Sequence, residues 1–288
     1  MPYSYTLLLL FGCFSLPVFA QSSPANQVDF GMMTWPEVKR ALHEQGKVTA
    51  LIYNGGTEQR GPQNVNGGHT LIAQAVGTAI AQQLGNALLV PVLPFSVNRA
   101  HAELPGTIGL SGPVFAQVNE EVALQMIQNG FQNVVLMGDH GGGQKELKEV
   151  AVKLDEKYRP QGIRIVYCDD VYDKATKEFD QWLVKNGYTP SPHAGIDDTS
   201  EMLYLGGDKG WVRKELIATA VGDPIPKPGE SPLPREKRVN NGIVGDARQA
   251  SAEIGKHFVD FKVAAAVQQI RALLVATPSG TTKNAAGN

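Results

Sequence analysis

The chain has 288 residues, is 42% hydrophobic and carries a formal net charge of −2. That allows one large α/β domain or two small ones, with enough apolar side chains for a sizeable core. No basic stripe or aromatic-interleaved basic patch is present, which argues against nucleic acid or another polyanion as partner.

In chain order, residues 1–20 read as an export signal. Thr6 opens an apolar stretch, T-L-L-L-L-F-G-C-F-S-L-P-V-F-A, and Val18-Phe19-Ala20 offers small residues for cleavage before Gln21. Met1–Tyr5 lacks the usual Lys or Arg. An uncleaved anchor is the rival reading, although the stretch is short for a span. A lipoprotein site at Leu10-Phe11-Gly12-Cys13 fits poorly because of Phe11. The expectation is a periplasmic or secreted protein with no membrane contact after cleavage. Cys168 is then the only cysteine, so no intramolecular disulfide can form, and its run I-R-I-V-Y-C reads as a buried strand with an inert thiol.

Residues 21–33 read as a flexible start, 34–275 as one catalytic domain and 276–288 as a disordered polar tail. Thr34-Trp35-Pro36-Glu37 marks a helix start, with Thr34 as N-cap and Glu37 completing a capping box. Strands are predicted at Val48–Tyr53, Ala87–Leu93, Asn133–Met137 and Ile163–Tyr167. Helices are predicted at Thr70–Leu84, Pro113–Gln128, Gln144–Tyr158 and Lys174–Asn186, with others near Asp198–Leu205 and Ala250–Val275. The alternation implies βαβ units and a largely parallel sheet. Asp223–Pro234 is proline-rich and reads as an extended surface loop.

Two of the strand-like runs end in glycine-rich turns that carry chemistry. The first leads into N-G-G-T-E-Q-R-G-P with Glu58, and the third into G-D-H-G-G-G with His140. His69 stands where the first helical pattern after Glu58 begins. One carboxylate and two imidazoles suit a catalytic zinc, which takes three protein ligands and keeps a position open. In open α/β sheets such groups meet at the carboxyl ends of strands. A solvated Glu58, a turn-capping His140 or a His69 in the N-cap region is the plainer alternative for each residue taken alone.

T-E-Q-R-G-P, H-T-L-I-A-Q-A, H-A-E-L-P-G-T-I, G-D-H-G-G-G and H-A-G-I-D-D-T-S-E-M-L, in that order, resemble the creatininase family of metal-dependent amidohydrolases. Gly245-Asp246 and Ala250–Gly255 are similar to its C-terminal segment, so the resemblance runs from about Trp35 to Leu274. It implies a three-layer α/β/α sandwich, hydrolysis of amide C–N bonds including cyclic ones, a two-metal site and a homo-oligomer, often a hexamer. The family's first motif reads Glu-x-His-Gly-Pro, followed by a metal-bridging Asp. Glu58 and His140 keep their places, whereas Arg60 replaces the His, His69 the bridging Asp and Gly142 an acidic ligand. A guanidinium stays protonated and cannot coordinate. An imidazole does not bridge two ions as a carboxylate does. The three departures together remove the second metal and leave Glu58, His69 and His140 as a one-metal set. Zinc suits it best, with manganese, iron or cobalt as alternatives.

The resemblance also marks His101 and His193. His193 is expected to donate a proton to the leaving nitrogen, and Asp198 or Glu103 to accept one from water. Arg60 is expected to hold an acidic group of the substrate or an oxyanion, or else to pair with Glu103 or Asp198. His101 and the amides of Gly141 and Gly142 are candidate substrate contacts, and Asp139 a carboxylate behind a ligating histidine. The function so implied is hydrolysis of a small amide or lactam. A peptidase or lactonase acting on a small acylated metabolite, and a non-catalytic periplasmic binding protein, are the alternatives.

Overall fold

The computed structural model describes residues 27–98, 104–227, 229–231 and 233–275. The export signal, residues 21–26 of the flexible start, the tail, His101 and Glu103 lie outside the described residues.

Alternating apolar residues build a four-stranded, wholly parallel sheet. Its strands are β1 (Thr49–Asn54), β2 (Ala87–Leu89), β3 (Asn133–Gly138) and β4 (Arg164–Tyr167), in the order β2-β1-β3-β4. Leu51 pairs with Val135, and Ile52 with Leu136. Because side chains alternate across a strand, Leu51, Tyr53, Val135 and Met137 enter one core, and Ala50, Ile52, Val134 and Leu136 the other. The strands are therefore apolar on both faces, as a sheet covered by helices requires.

Helices α1 (Trp35–His43), α3 (Gly112–Gln128) and α4 (Gln144–Tyr158) cover one face. Helices α2 (Gly68–Leu84) and α7 (Ala252–Val275) cover the other. Helix α5 (Asp173–Lys185) packs against α7 through Phe179 and Phe258, whose rings stack at 4.3 Å. Helix α6 (Ile196–Gly206) lies so close to α7 that a Cβ on Gly255 would collide with the Ser200 carbonyl. The expected three-layer α/β/α arrangement is the observed one. Among the described residues no helix is long and apolar enough to cross a membrane.

The elements differ from the sequence expectation mainly at their ends. The Thr34–Glu37 capping box forms, with both the Thr34 amide and its hydroxyl on the Glu37 carboxylate. Strand β2 stops at Leu89 instead of Leu93, since Pro91 and Pro94 have no N–H to offer a ladder. Helix α2 starts at Gly68 instead of Thr70, so His69 belongs to its first turn. Cys168 is a buried free thiol, and burial pushes its pKa up to about 12, away from any nucleophilic role.

The strand order fixes where a site can form. From β1 the chain turns to one face through α2, and from β3 it turns to the other through α4. Adjacent strands whose connections diverge leave a crevice beyond their carboxyl ends.

Candidate metal centre

Glu58, His69 and His140 converge in that crevice. Each offers a ligand atom, and the three atoms lie within 4.8 Å of one another. Glu58 comes from the turn after β1, His69 from the first turn of α2, and His140 from the turn between β3 and α4. Oε2 of Glu58 lies 3.2 Å from His140 Nε2 and 3.6 Å from His69 Nε2. Burial opposes ionisation of Glu58, yet His140 and His69 together hold its carboxyl well below the usual range.

The outer nitrogen of each imidazole is held. His69 Nδ1 donates to Asp139 Oδ2 at 2.8 Å, which leaves the Nε2 lone pair facing Glu58. Burial and Arg60 oppose the charged form of His69, but Asp139 and Glu58 outweigh them and raise its pKa. His140 Nδ1 faces both groups of Gly142, the amide at 2.9 Å and the carbonyl at 3.3 Å. With Nε2 given to a cation, the proton resides on Nδ1 and goes to that carbonyl. The 2.9 Å contact from the Gly142 amide belongs to the other tautomer, in which Nδ1 carries the lone pair. The Gly142 α-carbon has no room for a side chain, because a Cβ there would strike the Val97 carbonyl. Gly141 lines the cavity beside Tyr172.

Asp139 is anchored from behind by groups that the sequence did not single out. Its Oδ1 accepts from Lys262 Nζ at 2.8 Å and from the Tyr53 hydroxyl at 3.2 Å. The Lys262 ammonium, 3% exposed on α7, also reaches Glu201 Oε2 at 2.8 Å. Burial works against ionisation of Asp139, but Lys262 and His69 prevail and lower its pKa. Burial raises that of Glu201, with Lys262 opposing it. Asp139→Asn keeps an oxygen for His69 but removes the charge facing Lys262. Metal affinity is expected to fall about 10–100-fold, measured against a chelating dye.

His193 stands on the rim, in a segment whose carbonyl accepts from the Val244 amide at 3.0 Å. Its Nδ1 is 4.0 Å from Glu58 Oε2. Its Nε2 is 2.9 Å from the Gln59 carbonyl and 3.0 Å from the Gln59 side-chain amide. The carbonyl calls for a proton on Nε2 and the amide for a lone pair there, so the two contacts belong to opposite tautomers; with the proton on Nε2, Nδ1 is the acceptor facing the site.

Two expected roles meet a buried ion pair. Arg60 is 0% exposed, is absent from the cavity lining and forms an ion pair with Asp198, the pairing that the sequence offered as the alternative to substrate binding. Gly68 makes room for it, since a Cβ there would meet the guanidinium. Asp198 is in turn no free base, because its second oxygen accepts from the Ala194 amide at 2.6 Å. Burial would raise the Asp198 pKa, but Arg60 overrides this and holds it low. The pair also braces the turn after His193, where Ala194 adopts a φ of 54°.

Fold and site together define a class, an α/β protein with side chains that could hold a metal ion at the switch point of a parallel sheet. The chain belongs to the creatininase family: the family's sequence model, described as creatinine amidohydrolase, matches residues 31–270. A crystal structure of creatinine amidohydrolase is 24% identical, with a TM-score of 0.71 over 87% of this chain and 99% of its own. A creatininase described with manganese is 24% identical, with a TM-score of 0.66, covering 85% of this chain and 98% of its own. A creatininase point mutant of zinc–zinc type is also 24% identical, with a TM-score of 0.68 and the same coverages. These likenesses establish the fold. Comparison with curated proteins finds no match.

Proposed function

We propose that the protein is a single-metal amidohydrolase that cleaves a C–N bond of a small amide or lactam. The observation that carries this reading is the convergence of Glu58, His69 and His140, with His69 backed by a carboxylate. One carboxylate and two imidazoles fit a divalent ion with an open coordination position, zinc before manganese or iron. By the family resemblance Arg60, His69 and Gly142 stand in place of the groups that hold a second ion, and Arg60 is committed to Asp198. When bound, such an ion supplies a Lewis acid for the scissile carbonyl and lowers the pKa of water towards about 7.

The remaining work falls to the chain itself. Asp139 fixes the His69 tautomer, and Lys262 with Tyr53 fixes Asp139. His193 Nδ1 accepts a proton from the attacking water and returns it to the leaving nitrogen, an acid–base role that one imidazole performs near neutral pH. Arg60 and Asp198 position His193 by bracing Ala194. Glu103 as a second proton acceptor and His101 as a substrate contact complete the proposal from the 99–103 segment. Export, cleavage before Gln21 and homo-oligomerisation belong to the same reading.

The test is a hydrolysis screen of amides and lactams with mature protein, with and without chelator. The expected result is hydrolysis that stops on chelation and returns with zinc. Turnover indifferent to the chelator would refute metal dependence, and binding of the panel without turnover would favour a binding protein.

A further inference from the structure

We propose that the cavity beside the metal-ligand set contains a subsite for a positively charged group, so that the substrate is an amide bearing an ammonium or guanidinium and not a carboxylate. This rests on the amidohydrolase reading and specifies its substrate. It reverses the expectation that Arg60 holds an acidic group.

The cavity has a volume of about 640 Å³ and extends from Glu58, His69 and His140 between α5, α6 and α7. Tyr172, Thr176 and Asp180 follow one another at four-residue spacing and so present one face to it. Asp197 and Glu201 do the same on α6, and Phe258 and Lys262 on α7. Among the described residues the lining holds six carboxylates, one lysine and no arginine.

Most of those carboxylates are already matched. Glu58 belongs to the metal-ligand set, Asp198 to Arg60, and Asp139 to Lys262 and His69. Lys262 is shared between Asp139 and Glu201, so it has no charge left for a third acid. Among the described residues no cation pairs with Asp180 or Asp197. Burial raises both carboxyls, and the neighbouring Asp198 raises Asp197 further. Asp197 accepts the Ser191 amide at 3.1 Å. Glu201, 1% exposed, gives Oε2 to Lys262 while its Oε1 has no hydrogen-bond partner.

Desolvated acids without a counter-charge destabilise the empty cavity, and a cation bound among them removes that cost. The Tyr172 ring in the lining suits an ammonium or guanidinium, whereas the Phe258 ring is already taken by the Lys262 ammonium at 4.4 Å and by stacking on Phe179. A carboxylate on the substrate would instead meet like charges. The preference therefore comes from repulsion as well as attraction.

The experiment uses the zinc-loaded protein and three hydroxamates of matched length, with tails ending in ammonium, methyl or carboxylate, over a short series of lengths. The hydroxamate head engages the ion equally in each, so calorimetric Kd differences read the tail alone. The ammonium tail is expected to bind at least about tenfold tighter than the carboxylate tail, and D180N to shrink that ratio. Equal affinities, or a preference for the carboxylate, overturn the subsite and leave the amidohydrolase reading standing. Absence of binding by all three overturns both.

Discussion

His140→Ala is expected to strip the metal and reduce amide hydrolysis to background. In the proposed site His140 supplies one of three donors, and among the described residues its Nε2 is the nearest imidazole nitrogen to Glu58, at 3.2 Å. Two remaining ligands do not hold a catalytic ion at ordinary concentrations, because a working zinc site needs three. Without the ion, water reverts from a pKa of about 7 to about 15.7, and the nucleophile is lost at neutral pH. The helices and sheet are expected to survive, since His140 sits in a turn on the cavity wall. Elemental analysis and circular dichroism on the same preparation check both halves. A variant with full metal content and wild-type turnover would remove His140 from the ligand set.

Asp198→Asn is expected to cost the fold about 3–5 kcal/mol, because it leaves the Arg60 guanidinium buried without its ion-pair partner. Arg60 Nε and Nη1 already lack hydrogen-bond partners, which leaves the ion pair as its main compensation. Changing both residues together, with R60M and D198L, is expected to restore much of the loss. The pH dependence has a definite sign. Asp198 has a folded-state pKa below the ordinary aspartate value of about 3.9. Its stabilisation is therefore present above that value and disappears as pH falls through the lower folded value. Urea unfolding should show a wild-type advantage over D198N that is flat near neutrality and narrows below about pH 4. An advantage that grows on acidification would contradict the pair.

Much of the fold was legible because the strands are apolar on both faces and the helices are punctuated by caps and glycines. The Thr34–Glu37 box fixed the start of α1 to the residue. The shortened β2 shows what periodicity misses, since Val90–Leu93 remains apolar while its prolines end the ladder. The metal-ligand set was visible because Glu58 and His140 each follow a strand in a glycine-rich turn, where side chains reach a site at little steric cost.

The buried charge network was not visible. Arg60 was noticed, but nothing local tells a buried guanidinium from an exposed one. Glu201 lies within the helix expected near Asp198–Leu205, with no local mark of burial. Lys262 carried a signal that went unread, a single lysine within F-K-V-A-A-A-V and four residues after Phe258, on a stripe that faces the core. A charge at a core-facing position needs a buried partner. Here the partners come from the β3–α4 turn and α6, distances in sequence that no periodicity connects.

The most direct test of the central claim is metal stoichiometry by elemental analysis on mature protein, combined with anomalous diffraction to place the ion. One divalent ion per chain, seated among Glu58, His69 and His140, is the expected result. Two ions per chain, or one seated away from those three side chains, would contradict it.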